Sequence, residues 1–257
     1  MTGSKDHYYN KSKQEGYRAR SAYKLKQIDR EVGLLPAGAT VVDLGAAPGG
    51  WLQVAAEAVG PSGRVVGVDF QRIKDLDDHD VETIRGDVTD EETRDRVREA
   101  TGGTVDVVLS DMAPNMTGEY TLDHARSVHL ARQALETALD LLDSGGDFAV
   151  KVFDGQDFEA FHEDVETEFE YARVLRPDAS RDSSSEVYVV GKGRLTTDLR
   201  EGDVLDVAIT DEGDEGDGIA RVDGYTLFVP GTAPGDEVSV RVTGIKPRFG
   251  FAERVDD

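Results

Sequence analysis

The sequence predicts a doubly wound α/β domain followed by a small all-β barrel. In the first 193 residues of the 257-residue chain, short apolar runs alternate with helical stretches, as in a parallel sheet covered on both faces. After residue 193 the helical period ends, and short strand patterns follow one another between glycine-rich turns. At about 100–200 residues per domain, this length suits one large domain and one small module. We therefore expect two domains, 1–193 and 195–255.

The elements of the first domain follow from the spacing of its apolar residues. Residues 21–32 predict an amphipathic helix that ends at Gly33. Further helices are predicted at about 50–59, 90–100, 122–142 and 156–168. Strands are predicted at 40–44, 64–69, 81–85, 105–110, 147–152, 171–175 and 186–190.

The second domain shows only strand patterns. A polar loop at 178–185 precedes the last strand of the first domain, and the composition changes near 192–197. Barrel strands are predicted at 203–210, 218–222, 225–229, 236–243 and 248–255. Five strands in about 60 residues fit a closed barrel of the OB type.

Composition narrows the functional classes. The net charge is −23, from 52 acidic and 29 basic residues, and only nine residues are lysine. Excess carboxylate along the whole chain indicates adaptation to a salt-rich cytoplasm, where salt screens the repulsion. The absence of cysteine excludes disulfides and thiolate metal sites, and the five histidines show no metal-binding spacing. No apolar run approaches about 18 residues and no secretory signal is evident, so we expect a soluble cytoplasmic protein.

The N-terminal segment, residues 1–30, is a local exception to this acidity. Three acidic residues accompany eight basic ones there, and four tyrosines lie among them. Cations beside stacking aromatics suit RNA, whereas a solvated, partly disordered tail explains the same composition equally well. The basic residues are Lys5, Lys11, Lys13, Arg18, Arg20, Lys24, Lys26 and Arg30.

The first predicted strand runs into a glycine-rich turn at 43–51 (DLGAAPGGW). Such a turn lets a ligand approach the backbone, and the following helix start offers free N–H groups. Asp69 ends the second strand about 20 residues further on, where a carboxylate can accept hydrogen bonds from the ribose of an adenosine ligand. Asp87 follows the third strand and can meet an adenine amino group. The turn reads G-x-x-P-G-G, which departs from the dinucleotide fingerprint G-x-G-x-x-G.

Three charged residues mark later strands of the sheet. Asp111 follows the fourth strand, Lys151 lies within the fifth, and Glu186 opens the last. Strand ends at one edge of such a sheet line the ligand crevice. A lysine within an apolar strand requires a specific structural or functional explanation, because burying its charge is costly. The alternative is that Lys151 faces an edge and extends its ammonium group into solvent.

Several motifs together resemble the FtsJ/RrmJ-type ribose 2′-O-methyltransferases, in order and spacing, over about residues 1–192. The matching segments are RSAYKL (20–25), DLGAAPGGW (43–51), SDMAPN (110–115), VKVF (150–153) and SEVYVV (185–190). The second domain is similar to TRAM domains, which are RNA-binding barrels of RNA-modifying enzymes, through GDGIARVDG (216–224) and FVPG (228–231).

The resemblance implies a site and a cofactor. The cofactor is S-adenosylmethionine, and no metal is implied. The implied catalytic tetrad, in which Lys151 accepts the proton, is Lys24, Asp111, Lys151 and Glu186. The implied cofactor contacts are Gly49, Trp51, Asp69, Asp87 and Asp111.

Elementary chemistry agrees with the implied role of Lys151. Methyl transfer from a sulfonium to a hydroxyl is an in-line displacement, so alignment supplies much of the rate. The hydroxyl proton must leave, and a neutral amine can accept it. A free lysine titrates near pH ~10.4, so the amine needs burial or a neighbouring cation, such as Lys24, to become neutral.

The resemblance also implies a substrate. Within the family, the expected target is a uridine ribose in the peptidyl-transferase region of large-subunit (23S) rRNA, so the expected partner is that RNA or the large ribosomal subunit. A ribose in a tRNA anticodon loop is the alternative within the enzyme class. A non-catalytic RNA-binding assembly factor is the alternative outside it, although such a protein need not keep a strand lysine. No membrane partner is expected; the oligomeric state is left open, with a monomer as the default.

A second basic and aromatic patch lies near the end of the barrel. Residues 241–254 contain four basic residues against Glu253 alone, together with Phe249 and Phe251. Such a patch on a small barrel suits stacking on RNA bases. The alternative is that at least one of the two rings lies in the barrel core.

Overall fold

The computed structural model describes residues 3–76, 79–180 and 184–255. The helices of the first domain are α1 (Gly3–Gln14), α2 (Ala22–Val32), α3 (Gly50–Val59), α4 (Glu91–Thr101), α5 (Tyr120–Leu141) and α6 (Phe158–Glu168). Its strands are β1 (Thr40–Leu44), β2 (Arg64–Asp69), β3 (Glu82–Arg85), β4 (Val107–Ser110), β5 (Asp147–Phe153), β6 (Phe169–Leu175) and β7 (Glu186–Arg194).

These strands form one seven-stranded sheet in the order β3-β2-β1-β4-β5-β7-β6. All neighbours from β3 to β5 are parallel, whereas β7 runs antiparallel to both β5 and β6. The α/β prediction is confirmed, except that the sheet is mixed and not wholly parallel. The reason is that β6 and β7 follow one another without a crossover helix, which a parallel pair would need.

Apolar side chains cover both faces of the sheet. Leu25 and Ile28 of α2 and Leu52 of α3 are buried against one face. Phe148 of β5 and Phe161 of α6 are buried in the cluster on the other face. The predicted end of α2 is confirmed, because Gly33 adopts a left-handed conformation with φ of 60°. Helix α1 was not predicted, since its sequence is polar and lacks an apolar period.

The second domain is a closed five-stranded barrel with the strand order β10-β12-β11-β8-β9. Its core contains Ile209, Leu227, Val229 and Val240. The strands are β8 (Val204–Glu212), β9 (Gly218–Val222), β10 (Tyr225–Val229), β11 (Glu237–Ile245) and β12 (Phe249–Arg254). Across the described ranges, no helix is both long and apolar enough to cross a membrane.

The barrel packs against the edge of the sheet where the parallel strands begin. Ser144, which lies just before β5, donates a hydrogen bond to the Pro247 carbonyl at 2.5 Å. Lys246 pairs with Glu170 of β6 at 2.6 Å. A cleft at this junction is lined by Asp106, which precedes β4, and by Phe249 of the barrel. The carboxyl ends of β1, β2, β4 and β5 therefore lie at the opposite edge of the sheet from the barrel.

Candidate active site

The glycine-rich turn after β1 depends on two glycines. Gly45 and Gly49 have φ of 73° and 105°, which L side chains rarely adopt. A Cβ atom at Gly45 would also lie 2.3 Å from Cγ of Met112. The Ala47 N–H donates to Oδ2 of Asp69 at 2.9 Å, which ties the turn to the end of β2. The turn is thus a shaped backbone cradle at the start of α3.

Asp69 is the last residue of β2, Asp87 follows the neighbouring strand β3, and both are half-buried. Oδ1 of Asp69 accepts a hydrogen bond from the Gln71 N–H at 2.7 Å. Oδ1 of Asp87 accepts hydrogen bonds from the backbone and hydroxyl of Thr89, at 2.9 and 2.7 Å. These bonds fix both carboxylates at the edge of the sheet where the cradle lies.

Trp51 is enclosed by protein. Its indole donates to the Ser21 carbonyl at 2.8 Å, and its ring lies 5.8 Å from that of Tyr188. Only 3% of the residue is exposed. The structure therefore places Trp51 between α3, α2 and β7, and its contact with a cofactor stays a prediction.

Lys151 and Asp111 form the first ion pair of the candidate site. Nζ of Lys151 lies 2.9 Å from Oδ1 of Asp111 and also donates to the Asp111 carbonyl. Lys151 is only 6% exposed. The alternative in which Lys151 extends into solvent is therefore wrong.

Lys24 and Glu186 form the second ion pair, with Nζ 2.5 Å from Oε1. Both residues are buried, and Ser180 donates a hydrogen bond to the same oxygen at 2.8 Å. Because Lys24 lies on α2 and Glu186 begins β7, the pair fastens the helix to the strand next to β5.

Tyr188 joins the two pairs and is not among the site residues predicted from the sequence. Its hydroxyl donates to Oδ1 of Asp111 at 2.7 Å, and its ring lies 5.7 Å from Nζ of Lys24. Burial, with Asp111 and Glu186 nearby, raises the pKa of Tyr188 well above its usual value, so the phenol stays a neutral donor. The available signal was its position two residues after Glu186, which places both on one face of β7.

Asp43, at the start of the turn motif, is the second residue that the sequence analysis missed. It is 1% exposed, and neither carboxylate oxygen has a hydrogen-bond partner among the described residues. Burial, then Asp111 and Asp69, raise the pKa of Asp43 well above its usual value. Asp69 and Asp111, near the strand ends on either side of β1 and beside the glycine cradle, fit a ligand with both hydroxyl groups and positive charge. S-adenosylmethionine is such a ligand.

Among the N-terminal basic residues whose side chains the structure describes, five have an internal acidic or carbonyl partner, and one of these is Lys11, 3.9 Å from Glu15. The Arg18 guanidinium donates to the carbonyls of Pro48, Lys74 and Asp75, and so clamps the cradle to the segment after β2. Arg20 donates to the Ala179 carbonyl at 2.9 Å. Lys24 pairs with Glu186, and Lys26 lies 3.3 Å from Glu57. Much of the positive charge of this segment therefore supports the fold, while Lys13 and Arg30 are exposed.

The two rings of the barrel patch lie on its surface. Phe249 and Phe251 are 38% and 42% exposed. Phe228 is the third ring of the group, with centroids 5.8 and 6.1 Å from the other two. The alternative that places either Phe249 or Phe251 in the barrel core is wrong. Over the described part of the chain, no group of histidines and carboxylates is arranged to hold a metal.

Comparisons with known proteins give a consistent result. A model of the family described as FtsJ-like methyltransferase matches residues 17–194, and a TRAM domain model matches 198–255. Proteins named ribosomal RNA large subunit methyltransferase E are similar over the whole chain. The one from Haloquadratum walsbyi is 65% identical, covering 100% of both chains. The one from Halorubrum lacusprofundi is 68% identical, covering 100% of this chain and 95% of its own.

The similarity extends beyond the haloarchaea. The relative of the same name from Methanocella arvoryzae is 51% identical, covering 98% of this chain and 97% of its own. A solved structure described as a ribosomal RNA methyltransferase, putative, from Plasmodium falciparum shares the fold of the first domain. Its TM-score is 0.63 at 24% identity, over 69% of this chain and 98% of that one.

Proposed function

The chain belongs to the FtsJ-like methyltransferase family, and we propose that it methylates a ribose 2′-hydroxyl of large-subunit ribosomal RNA. The similarity to large-subunit methyltransferases E over the full chain supports ribosomal RNA as the substrate. Within that RNA we propose a uridine of the peptidyl-transferase region, and we place the enzyme in the cytoplasm, acting as a monomer.

The cradle and the carboxylates hold the cofactor in this proposal. S-adenosylmethionine supplies an activated methyl group on a positively charged sulfur. Gly49 and its neighbours give close backbone approach, Asp69 accepts from the ribose hydroxyls, and Asp87 accepts from the adenine amino group. Asp111 lies between this cradle and Lys151.

Lys151 accepts the proton of the ribose hydroxyl. As the ribose oxygen takes the methyl group that bound S-adenosylmethionine would supply, Nζ of Lys151 would accept the hydroxyl proton. An amine accepts a proton only in its neutral form, so Lys151 must release its ammonium proton before it can act as the acceptor. Asp111 fixes the position of Nζ of Lys151. This position matters for catalysis because alignment of the reacting groups supplies much of the rate.

Lys24, Glu186 and Tyr188 position these groups. The Lys24–Glu186 pair is buried and holds α2 against β7. Tyr188 connects this pair to Asp111. The single observation that carries the proposal is this joining of two ion pairs, each with a buried lysine, through one tyrosine beside the glycine cradle.

The barrel binds RNA at a distance from the reacting centre. Phe249 and Phe251 are exposed on the barrel, which packs against the sheet edge opposite to Lys151. Residues 195–255 thus hold a second RNA segment, while residues 1–193 perform the chemistry. A large folded RNA can reach both sites at once, which favours ribosomal RNA over a short single strand.

The test is methylation of defined RNA in vitro. Full-length protein, labelled S-adenosylmethionine and unmodified large-subunit rRNA, free or in subunits, are incubated at high salt, and labelled nucleotides are mapped by mass spectrometry. We expect one 2′-O-methyluridine. Methylation of tRNA instead would support the anticodon-loop alternative. RNA binding with no methyl transfer to any of these substrates would support the assembly-factor alternative.

A further inference from the structure

An exposed tyrosine lies at the same edge of the sheet as the candidate site. Tyr120 is the first residue of α5 and is 67% exposed. Its ring centroid lies 3.9 Å from that of His124, one helical turn later, with 36° between the planes. One ring is therefore held against another, and the tyrosine is open to solvent.

His124 is fixed in place by the ends of two strands. It is 6% exposed, its Nε2 lies 3.1 Å from the hydroxyl of Ser185, and its ring lies 5.6 Å from that of Phe153. The backbone of Gly155 is so close that a Cβ atom there would lie 2.0 Å from Nδ1 of His124. The histidine therefore has a single well-defined position behind Tyr120.

The strand ends that hold His124 also carry the proposed catalytic groups. Ser185 directly precedes Glu186, and Phe153 lies two residues after Lys151. Phe153 and Glu186 are also paired in register between β5 and β7. The Tyr120–His124 ring pair is thus attached to the strands that carry Lys151 and Glu186.

We propose that the Tyr120–His124 ring pair stacks against an unpaired nucleobase next to the methylated nucleotide; this rests on the proposed function. Sequence-specific RNA recognition uses splayed bases stacked on aromatic side chains. Stacking also suits high salt, because phosphate contacts weaken steeply as salt rises. The exposed acid Glu119 beside Tyr120 favours a base over a phosphate as the group bound here.

The test compares three full-length variants on the RNA that the wild type methylates. Tyr120→Ala removes the ring, Tyr120→Phe keeps it, and Tyr171→Ala removes a 47% exposed tyrosine from the outer strand β6. We expect Tyr120→Ala to raise KM and the RNA Kd by roughly five- to a hundredfold. Tyr120→Phe and Tyr171→Ala should stay near wild type. Calorimetric S-adenosylmethionine affinity should be equal in all three, which shows that each variant is folded.

A fluorescent base analogue locates the contact. 2-Aminopurine placed beside the target nucleotide should be quenched when wild type or Tyr120→Phe binds, and less so with Tyr120→Ala. Equal quenching and equal KM in Tyr120→Ala and Tyr171→Ala would overturn the inference while leaving rRNA methylation intact. If the wild type transfers no methyl group to any RNA, the proposed function fails first, and the RNA Kd of Tyr120→Ala compared with that of Tyr171→Ala still tests stacking on bound RNA.

Discussion

Tyr188 donates its hydroxyl hydrogen to Oδ1 of Asp111 at 2.7 Å, the same oxygen that lies 2.9 Å from Nζ of Lys151. Lys151 and Tyr188 are also paired in register between β5 and β7. Two donors from neighbouring strands thus fix one carboxylate oxygen. The orientation of Asp111 is set by the sheet itself and not by a mobile loop.

Removal of the Tyr188 hydroxyl should therefore lower turnover. In Tyr188→Phe, the charged carboxylate of Asp111 loses one hydrogen bond, worth about 1.5–3 kcal/mol. We expect kcat to fall by up to roughly ten- to a hundredfold while KM for RNA stays near wild type. Single-turnover methylation and equilibrium RNA binding separate the two quantities. A raised KM with unchanged kcat would show that Tyr188 contacts the substrate instead of positioning Asp111.

Lys151→Ala should lower turnover by about a hundredfold or more, because it removes the proposed proton acceptor. Lys151→Arg should lower turnover as well, because a guanidinium group does not release its proton at a pH where the enzyme can be assayed. Calorimetric binding of S-adenosylmethionine should be nearly unchanged in both. Lys192→Ala is the matched control, since Lys192 is also a strand lysine paired with an acid, Asp147. Near wild-type turnover in Lys151→Ala would move the proton acceptor elsewhere.

A residue of this site can be predicted from the sequence only where its type is unusual for the element in which it lies. Lys151 and Asp111 stand out because charged residues interrupt or end apolar strands. Tyr188 does not, since an aromatic residue in a strand normally indicates a core. Asp43 belongs to a turn motif that is interpreted through its glycines, so the sequence gives no separate sign of a role for this carboxylate. The docking of the barrel rests on single polar contacts such as Ser144 to Pro247, which leave no periodic pattern in the sequence.

Asp43→Asn should change how stability depends on pH. Burial, followed by Asp111 and Asp69, raises the pKa of Asp43 in the folded protein above its unfolded value. The stability from the bound proton is complete below about pH 4, the ordinary aspartate pKa, and is lost as pH rises through the folded value. Asparagine binds no such proton. The Tm of the variant minus that of wild type should therefore increase from pH 4 towards pH 8.

The control for that series is a constant salt concentration at every pH, because the chain carries many other carboxylates. A Tm difference that stays the same between pH 4 and pH 8 would show that Asp43 titrates alike in the folded and unfolded chain.

Asp69→Ala should weaken cofactor binding. A charged acceptor facing a ribose diol contributes about 1.5–3 kcal/mol, so the Kd for S-adenosylmethionine should rise roughly ten- to a hundredfold. The variant also loses the bond from the Ala47 N–H that holds the cradle. Titration calorimetry gives the change, with the exposed Asp80→Ala as control. Unaltered affinity in Asp69→Ala would place the ribose contact elsewhere.

The barrel rings should contribute to RNA affinity and not to chemistry. Phe249 and Phe251 lie at the sheet edge opposite to Lys151, so their loss cannot disturb the reacting groups directly. Phosphate contacts weaken steeply with salt, whereas each base stacked on an aromatic ring contributes about 1–3 kcal/mol. Phe249→Ala with Phe251→Ala should therefore raise the RNA Kd and KM at the salt concentration where the enzyme works, with a smaller change in kcat. Val204→Ala, at a 53% exposed barrel position, is the matched control.

A chain ended after Thr196 should show the same loss of RNA affinity and still bind S-adenosylmethionine, because β7 ends at Arg194 and the two domains have separate cores. RNA affinity that is equal to wild type in both the double variant and the shortened chain would show that the barrel serves another purpose.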